Sequence, residues 1–476
     1  MSGQSVRFPR AEHGGLLLGL TLAQLLLLGG ALVQLAVAVF AGVGPVSGVS
    51  LALSGAALLG GAFGRLSGQP AYRWLFWRTA MEVRRARQQH RFRARPQRPQ
   101  PAGTLGLPGT GASLRLVHTP AGFAAVHDPH ARTLTAVLRV QAAAFALLDT
   151  AEQDSRVAGW GRVLAGLCQG GRIARVQVLE RTVPDSGDAL AAYAESHLVD
   201  AGSWPSEVYR ELVSSAAPAS EQHQTFLAVS LDLARCARQV RQAGGGITGG
   251  ATLLSQQTTN LQSSLHAAGL SPHGWLDAAG LAGVVRSAYD PAATVPAGHG
   301  QAAADAVGPM AVDESWDRLR TDTGVHVVYL VAQWPRVEVG ADFLDPLVFT
   351  PGVRRAFSLI VQPVGVDRAL KEIRRAKTAH VTDAAQRARI GQIEDEALAA
   401  EFRDVLARER ELVAGHGELR FVGLLAVTAA TGEELDSACG QIETAATQAM
   451  VDLRRLVGQQ GEAFAAAALP LGRGLR

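Results

Sequence analysis

The sequence predicts an α+β protein: a two-helix transmembrane hairpin at the N-terminus, followed by a cytoplasmic domain of ferredoxin-like split βαβ units with a long helical arm. Two observations lead to this class. Residues 1–63 contain two long uncharged stretches, and after residue 114 β-rich runs alternate with runs of helical periodicity. The chain has 476 residues, of which 47% are hydrophobic and 18% are charged, so it can supply both a membrane anchor and a core.

The hairpin is predicted from the two uncharged stretches. The first, residues 14–42, exceeds the roughly 20 apolar residues that cross a bilayer. The second, residues 46–63, follows after Gly44-Pro45, so the two helices should be antiparallel neighbours. Their small residues allow close packing (Gly29, Gly30, Gly55, Gly60, Gly61). The length of the first stretch and the presence of the second argue against a cleaved signal peptide. We expect a cytoplasmic N-terminus at residues 1–13 and a hairpin at 14–67.

Arginines set the expected orientation of the hairpin. Arg7 and Arg10 precede it and a dense group follows it, and such positive charge stays on the cytoplasmic side. Both termini and the large domain should therefore be cytoplasmic, with the protein in the bacterial inner membrane. The arginines that follow are predicted to lie on a juxtamembrane helix that contacts anionic lipid: Arg73, Arg78, Arg84, Arg85, Arg87 and Arg91. Contact with nucleic acid is the alternative interpretation of this basic segment, residues 73–98.

The Pro/Gly-rich stretch that follows contains two overlapping motifs. "GLPGTGAS", residues 106–113, is one residue away from the phosphate loop G-x-x-x-x-G-K-[ST], and it contains the wall-anchoring pattern L-P-x-T-G. Alanine occupies position 112, where a phosphate loop needs lysine, and the wall-anchoring pattern would lie on the cytoplasmic side. Both matches are expected to be accidental. Residues 68–112 are therefore predicted to form the basic juxtamembrane helix and a linker.

Residues 113–476 are expected to form the cytoplasmic α+β domain. β-rich runs predict strands near residues 132–140, 172–183, 223–233, 324–335, 354–364 and 418–430. Helical periodicity predicts one helix at residues 150–167 and another that begins at Asp188. The polar stretch 367–414 carries a narrow apolar stripe at three-four spacing, which predicts a helical hairpin or coiled arm with a bend at Gly391.

Few residues are candidates for chemistry. Three histidines flank a predicted turn, which does not bring them to one metal ion: His118, His127 and His130. Three carboxylates could be catalytic on one helical turn, or could form an exposed acidic helix start: Asp313, Glu314 and Asp317. The glycine-rich stretch 244–250 is interpreted as a flexible loop before a helix that begins at Ala251. The three cysteines lie far apart without C-x-x-C spacing, which indicates a reducing compartment. We expect no enzyme activity, no metal and no cofactor.

Several stretches resemble bacterial secretion proteins. "RFPRAEHGGLLLGLTLAQLLLL" resembles the PrgI-type two-span proteins of conjugative type IV secretion systems. "TLTAVLRV", "VLERTVPDSGDAL", "AVDESWDRLRTDTGVHVVYLVAQWPRVEVGADFLDPL" and "LRRLVGQQGEAFAAAALPLGRGL" are similar to the N-terminal, motorless half of a VirB/TraC-type conjugation ATPase. The whole sequence therefore resembles actinobacterial conjugation proteins that join these two parts.

The resemblance implies an inner-membrane scaffold that anchors a separately encoded ATPase at a type IV secretion or conjugation channel. Other channel subunits would be partners, the protein would form an oligomer, and nucleic acid would be contacted only indirectly. The ATPase or a second copy should dock on the arm through four apolar residues: Ile373, Ile393, Phe402 and Leu406. The alternative is that the arm packs on its own sheet. Two other functions stay open, namely a type VII secretion membrane component and a membrane-bound enzyme that acts on a lipid-linked substrate.

Overall fold

In a computed structural model, the protein has a pair of apolar helices at its N-terminus and a domain built on one large antiparallel sheet. The structure describes residues 8, 21–40, 45–66, 69–95, 97, 101, 103–141, 145–184, 195–197, 202–216, 221–293, 307–390 and 396–475. Helices and a large antiparallel sheet agree with the predicted mixture of α and β structure. The crossing of a membrane by two spans and the ferredoxin-like units stay predictions.

The apolar pair consists of α1 (Leu22–Phe40) and α2 (Pro45–Phe63). The two helices are antiparallel, because Gln24 near the start of α1 donates to the carbonyl of Ala62 near the end of α2, at 3.0 Å. Further along, the Ser54 hydroxyl of α2 donates to the side chain of Gln34 on α1, also at 3.0 Å. α1 is long and apolar enough to cross a bilayer, whereas the apolar part of α2 is shorter.

The remaining strands and helices belong to the domain and to its junction with the apolar pair. The strands are β1 (Arg65–Leu66), β2 (Gln69–Pro70), β3 (Arg91–Arg93), β4 (Arg115–His118), β5 (Ala124–Asp128), β6 (Thr133–Gln141), β7 (Ile173–Pro184), β8 (Glu221–Asp232), β9 (Ser271–Trp275), β10 (Ala311–Glu314), β11 (Leu319–Arg320), β12 (Val325–Gln333), β13 (Arg354–Val364), β14 (Glu418–Ala429) and β15 (Asp452–Arg455). The helices are α3 (Ala71–Ala86), α4 (Thr150–Gly170), α5 (Trp204–Ala216), α6 (Ala237–Gln242), α7 (Gly246–Ala267), α8 (Ala278–Tyr289), α9 (Asp345–Val348), α10 (Val366–Ile390), α11 (Glu396–Val413), α12 (Gly432–Gln448) and α13 (Gln460–Ala468).

Two sets of four strands with the same connectivity form the centre of the 13-stranded sheet. The spatial order is β9-β6-β8-β7 in the first set and β15-β12-β14-β13 in the second. In each set the fourth strand along the chain lies beside the first, and the third lies between the first and the second. β7 and β13 then pair with each other, from Val176↔Val361 to Arg181↔Ala356. One continuous sheet therefore runs through both sets.

Each set carries an insertion between its second and third strands. The insertion of the first set contains α5, and that of the second set is the predicted arm, which consists of α10 and α11. The two arm helices contact each other, because Lys377 pairs with Glu409 at 2.7 Å and His380 stacks on Phe402 at 4.4 Å between ring centroids. The arm is thus a helical hairpin, as one of the two sequence interpretations expects. The predicted bend at Gly391 lies outside the described residues, as does most of the helix predicted from Asp188.

The two faces of the sheet carry different covers. On one face, α4 and α7 pack on the first set through Val163, Leu254 and Leu261, and α12 packs on the second set through Leu435 and Ile442. On the other face, a single core extends across both sets and is covered by α8, α13 and the segment around residues 105–114. Successive side chains of a strand point to opposite faces, and both faces of this sheet are covered. The central strands are therefore apolar almost throughout.

The predicted linker is part of this second cover. Leu105, Leu107 and Leu114 are almost completely buried, and Gly109–Ser113 forms a short 3-10 helix. A linker free in solution would leave these leucines in water, whereas their burial stabilises the folded state by roughly 1.5–3 kcal/mol each. The proline and glycine residues in this stretch therefore shape a packed loop rather than a flexible connection.

A single buried glutamine connects the two sets to the C-terminal segment. Gln177, on β7, donates through Nε2 to the Ser358 hydroxyl on β13 at 2.8 Å and to the carbonyls of Ala466 and Leu469, both at 3.0 Å. Its Oε1 accepts from the backbone N–H of Gly472 at 2.8 Å. Gly472 has a φ of +62°, and a Cβ atom there would overlap a buried serine side chain of β8, so this position requires glycine.

Replacing Gln177 with leucine should lower the free energy of unfolding by about 3 kcal/mol or more, because the serine, the carbonyls and the N–H would lose their partner in a dry core. The measurement is urea unfolding of the purified protein in detergent micelles. Gln441→Leu, at an exposed position on α12, is the matched control and should change little. Equal stability of the two variants would contradict the connecting role of Gln177.

Candidate membrane interface

The apolar pair exposes its large hydrophobic side chains on all sides. Exposed fractions reach 69% for Leu26, 88% for Phe40 and 68% for Leu53. Two polar side chains of the pair point inward instead, since Gln24 and Gln34 each make a hydrogen bond to the other helix. An apolar surface of this size with polar groups turned inward is typical of helices in lipid.

α3 joins the apolar pair to the domain through aromatic contacts. Met81 of α3 is completely buried, and Trp74 lies edge-on to Trp316 with ring centroids 5.5 Å apart. The Arg78 guanidinium lies over the same Trp316 ring at 5.5 Å, which is within cation–π range. Trp316 follows β10, so the indole ring holds α3 against the edge of the large sheet.

A largely buried ion pair forms the second contact of this junction. Arg84 on α3 pairs with Glu314 on β10 at 2.8 Å, and the carboxylate of Glu314 is only 8% exposed. The other carboxylate oxygen accepts from the backbone N–H of Gly461 at 3.1 Å, and Arg84 also donates to the carbonyl of Gly458. Three segments that are distant in sequence therefore meet at one charge pair: α3, β10 and the start of α13.

The structure separates the six predicted arginines into different environments. Arg73 and Arg87 are exposed, Arg85 pairs with Glu82 at 3.4 Å, and Arg78 and Arg84 contact the domain as described above. Arg91 lies on β3 and pairs with Asp313 at 3.2 Å. The predicted helix at residues 73–98 instead ends at Ala86, after which Gln88 has a φ of +56° and the chain turns into β3. The basic segment is therefore a helix followed by a strand of the domain.

Burial and charge act together on Arg454, which lies near the start of α3. Burial lowers the pKa of Arg454, the charge of Arg73 lowers it further, and Asp452 acts in the opposite direction. The Nε atom of Arg454 is buried and has no hydrogen-bond partner within the described part of the chain.

The three candidate carboxylates do not share a helical turn, so that expectation is wrong. Asp313 and Glu314 are neighbours on β10, and alternation along a strand directs them to opposite faces. Asp313 points to solvent and to Arg91, whereas Glu314 points inward to Arg84. Asp317 lies beyond the strand, 3.5 Å from both Arg318 and Arg455. Each carboxylate has basic partners, which gives the three residues a structural role.

The four predicted docking residues of the arm lie in unequal surroundings. Ile373 is only 2% exposed and packs with Val364 and Leu412 at the base of the arm. Phe402 stacks on His380, and Leu406 is half-buried. Ile393 lies outside the described residues. Ile373 therefore contributes to the arm's own packing, while docking through Phe402 and Leu406 stays a prediction.

The remaining candidate residues do not converge on a site. His118 and His127 lie on adjacent strands and His130 lies in the turn after β5, and no described group of three His, Cys, Asp or Glu residues could hold a metal ion. The helix expected to begin at Ala251 begins at Gly246, so residues 246–250 of the expected loop are helical and that expectation is wrong for them. The three cysteines are buried and free, and burial raises the pKa of the Cys168 thiol to about 11.

Sequence reasoning missed an aromatic contact of the N-terminal segment. Phe8 stacks on Trp334 with ring centroids 5.1 Å apart and also contacts Phe343 at 5.4 Å and Phe421 at 6.0 Å. Phe8 is a single aromatic residue in a polar segment before the apolar pair, and only that isolation could have drawn attention to it. The contact fixes residue 8 against the domain.

The described residues thus combine one helix long and apolar enough to cross a membrane, a junction helix and a mixed α/β domain. The family EccE, described as a type VII ESX secretion system translocon, matches residues 219–331. The matched residues extend from the beginning of β8 almost to the end of β12 and thus link the two four-strand sets. This similarity indicates a membrane component of a secretion translocon. Among curated proteins, none matches the chain.

The family match corrects the expected relationship to conjugation. The PrgI-like and VirB/TraC-type resemblance is wrong, as is the assignment to type IV secretion, because the match is to a type VII translocon family. The longest stretch used for that resemblance begins at Ala311 and overlaps the matched residues. Its pattern follows β10, β11 and β12, so it reports the packing of strands, which unrelated sheets share.

The two ion pairs of the junction allow a matched comparison. Arg84→Gln should lower the free energy of unfolding by about 2 kcal/mol, because it leaves the buried Glu314 carboxylate without its cation. Arg91→Gln breaks a pair whose side chains are 55% and 49% exposed. It should change the free energy of unfolding by less than about 0.5 kcal/mol, because water screens an exposed pair. Thermal unfolding in detergent measures both. If Arg91→Gln lowered the free energy of unfolding as much as Arg84→Gln, burial would not determine how much each ion pair stabilises the junction.

Proposed function

We propose that this protein is a membrane subunit of a type VII secretion translocon, in which it acts as a non-catalytic scaffold. The observation that carries the proposal is the EccE match over residues 219–331. The exposed apolar surface of α1 and α2 supports the membrane anchor, and the two insertions supply projecting helices for contacts with other subunits. Binding of an ATPase is the more specific form of this proposal.

We also propose that α1 and α2 both cross the bilayer, with the two termini and the domain in the cytoplasm. The antiparallel contacts from Gln24 to Ala62 and from Ser54 to Gln34 support a hairpin whose two open ends lie at one membrane surface. The stacking of Phe8 on Trp334 supports the same topology, since it requires the segment before α1 and the domain to share one side. The arginines on that side agree with a cytoplasmic location.

The ferredoxin-like interpretation belongs to the same proposal. Each four-strand set has the strand order of a βαββαβ unit, and we interpret both sets as ferredoxin-like split βαβ units joined through β7 and β13. In the second set, the one-turn helix α9 occupies the place of the first crossover helix. A rigid sheet of this size would hold α5 and the arm at fixed positions, as a scaffold requires.

Deleting the gene should abolish secretion of the small W-x-G proteins that type VII systems export. The wild-type protein should restore secretion and co-purify with other translocon subunits. Phe402→Glu and Leu406→Glu should leave the protein folded but reduce co-purification at least about tenfold, which corresponds to roughly 1.4 kcal/mol of binding free energy. Secretion and quantitative mass spectrometry of the purified complex measure the two effects.

Arg403→Gln, an exposed change beside Phe402 on α11, is the control for the arm. If the deletion strain secretes W-x-G proteins normally, the translocon proposal fails. If secretion is lost but the Phe402 and Leu406 variants bind like wild type, the scaffold does not use the arm. Unfolding of these two variants would assign both residues to the packing of the arm itself.

The proposed topology predicts that a reporter active only in the cytoplasm is active when fused at Met1 and also when fused at Arg476. A reporter active only outside the cytoplasm should be inactive at both positions. A protease added to intact spheroplasts should leave the domain whole, and the same protease should digest it after the membrane is permeabilised. Digestion in intact spheroplasts, or opposite reporter signals at the two termini, would contradict the two-span hairpin.

A further inference from the structure

The outer face of α3 is apolar and exposed. Leu75 is 59%, Phe76 62% and Val83 49% exposed, and Thr79 lies between them on the same side of the helix. The opposite side carries the completely buried Met81 and the contacts to Trp316 and Glu314 described above. One side of α3 is therefore fixed to the domain, while the other presents large apolar side chains that are about half exposed or more.

The position of α3 places this face beside the apolar pair. α3 begins close to the end of α2, and the backbone N–H of Ala71 donates to the carbonyl of Gly64 at 2.8 Å. The hydroxyl oxygens of Thr21, before α1, and Tyr72, on α3, are 3.4 Å apart. Both open ends of the apolar pair therefore meet the first turn of α3, so α3 starts where the proposed spans leave the hydrocarbon.

The charges around the outer face suit an anionic surface. Arg73 and Arg87 are exposed near the two ends of α3. Phosphate oxygens are the acceptors that exposed guanidinium groups bind most strongly.

We propose that α3 is an interfacial helix that inserts Leu75, Phe76 and Val83 into the boundary between headgroups and acyl chains. In this arrangement Arg73 and Arg87, at its two ends, bind the phosphates of anionic lipids. The proposal rests on the proposed membrane anchor and adds a second contact with the bilayer. Because Arg84 and Trp316 fix α3 to the sheet, binding of α3 to lipid would also set the orientation of the whole domain relative to the membrane.

A fluorescent probe on the outer face tests the proposal in the full-length protein. Thr79→Cys provides the attachment point, and selective labelling is favoured because Cys168, Cys236 and Cys439 are buried and burial raises the pKa of each thiol. The protein is reconstituted into vesicles of phosphatidylcholine alone or mixed with phosphatidylglycerol. The emission wavelength and quenching by aqueous acrylamide report whether the probe lies in the interface.

In mixed vesicles we expect blue-shifted emission and protection from acrylamide, and less of both in phosphatidylcholine alone. Arg73→Gln combined with Arg87→Gln should lower the partition of α3 into mixed vesicles roughly fivefold for each arginine removed. Arg238→Gln combined with Arg241→Gln removes two exposed arginines from α6 and is the matched control. Phe76→Ser should expose the probe in both kinds of vesicle, whereas Leu212→Ser on α5 should not.

A probe that stays fully accessible to acrylamide in mixed vesicles overturns the proposal, even when the protein remains in the vesicles through α1 and α2. Equal protection with and without phosphatidylglycerol overturns the role of the arginines. A response to short duplex DNA but not to anionic lipid would assign the surface to nucleic acid instead. Inorganic phosphate should have no effect, since the apolar residues require a bilayer. Loss of the protein from vesicles would refute the membrane anchor itself.

Discussion

The architecture of the domain depends on the buried amide of Gln177. Joining β7 to β13 removes two sheet edges that would otherwise carry unpaired backbone groups. The amide lies at this join and binds Ser358 of the second strand set and the backbone near Leu469 and Gly472. Since an amide left without partners in a dry core is costly, the first set, the second set and the C-terminal segment are stable only in one mutual arrangement.

The junction between the apolar pair and the domain also depends on a buried polar group whose partners come from distant segments. Glu314 is a carboxylate in an almost dry environment, and it is acceptable there only because Arg84 and the backbone of Gly461 meet it. Arg84 belongs to α3 and Gly461 to α13, so the ion pair ties the helix nearest the apolar pair to the segment that covers the sheet. A displacement of α3 would therefore reach the central sheet directly through Arg84 and Glu314.

Local patterns in the sequence predicted the elements better than their assembly. Runs of β-rich residues located most of the central strands to within a few residues, and the stripe at 367–414 located the arm. Periodicity contains no information on which strands pair, so the join between β7 and β13, where Gln177 lies, was not predicted. The proline and glycine residues around Leu105 and Leu107 suggested a linker, because their tendency to form turns can be read from the local sequence. The burial of the two leucines depends on distant parts of the chain and cannot be read from it.

At the candidate membrane interface, too, the composition of the sequence did not predict which residues contact one another. The arginines near α3 were predicted as one lipid-facing group, since composition records charge and not direction. Contacts divide them, because Arg84 meets Glu314 and Arg91 meets Asp313 while Arg73 and Arg87 face outward. The mistaken relationship to conjugation proteins has a related cause. Apolar strand patterns such as those from Ala311 onward record burial in a sheet, and burial alone does not distinguish secretion systems.

The position of the C-terminal segment has a consequence for the biosynthesis of the protein. Residues 460–475 cover a face that both strand sets share, and the ribosome makes them after every described strand of the sheet. α1 and α2 emerge hundreds of residues earlier, so the proposed anchor can enter the bilayer before that face is covered. With this anchor in place, the sheet completes its core while the nascent chain is already tethered to the membrane. Only a chain translated through this segment has both faces of the sheet closed, so with the proposed anchor the core of the domain closes at the membrane surface.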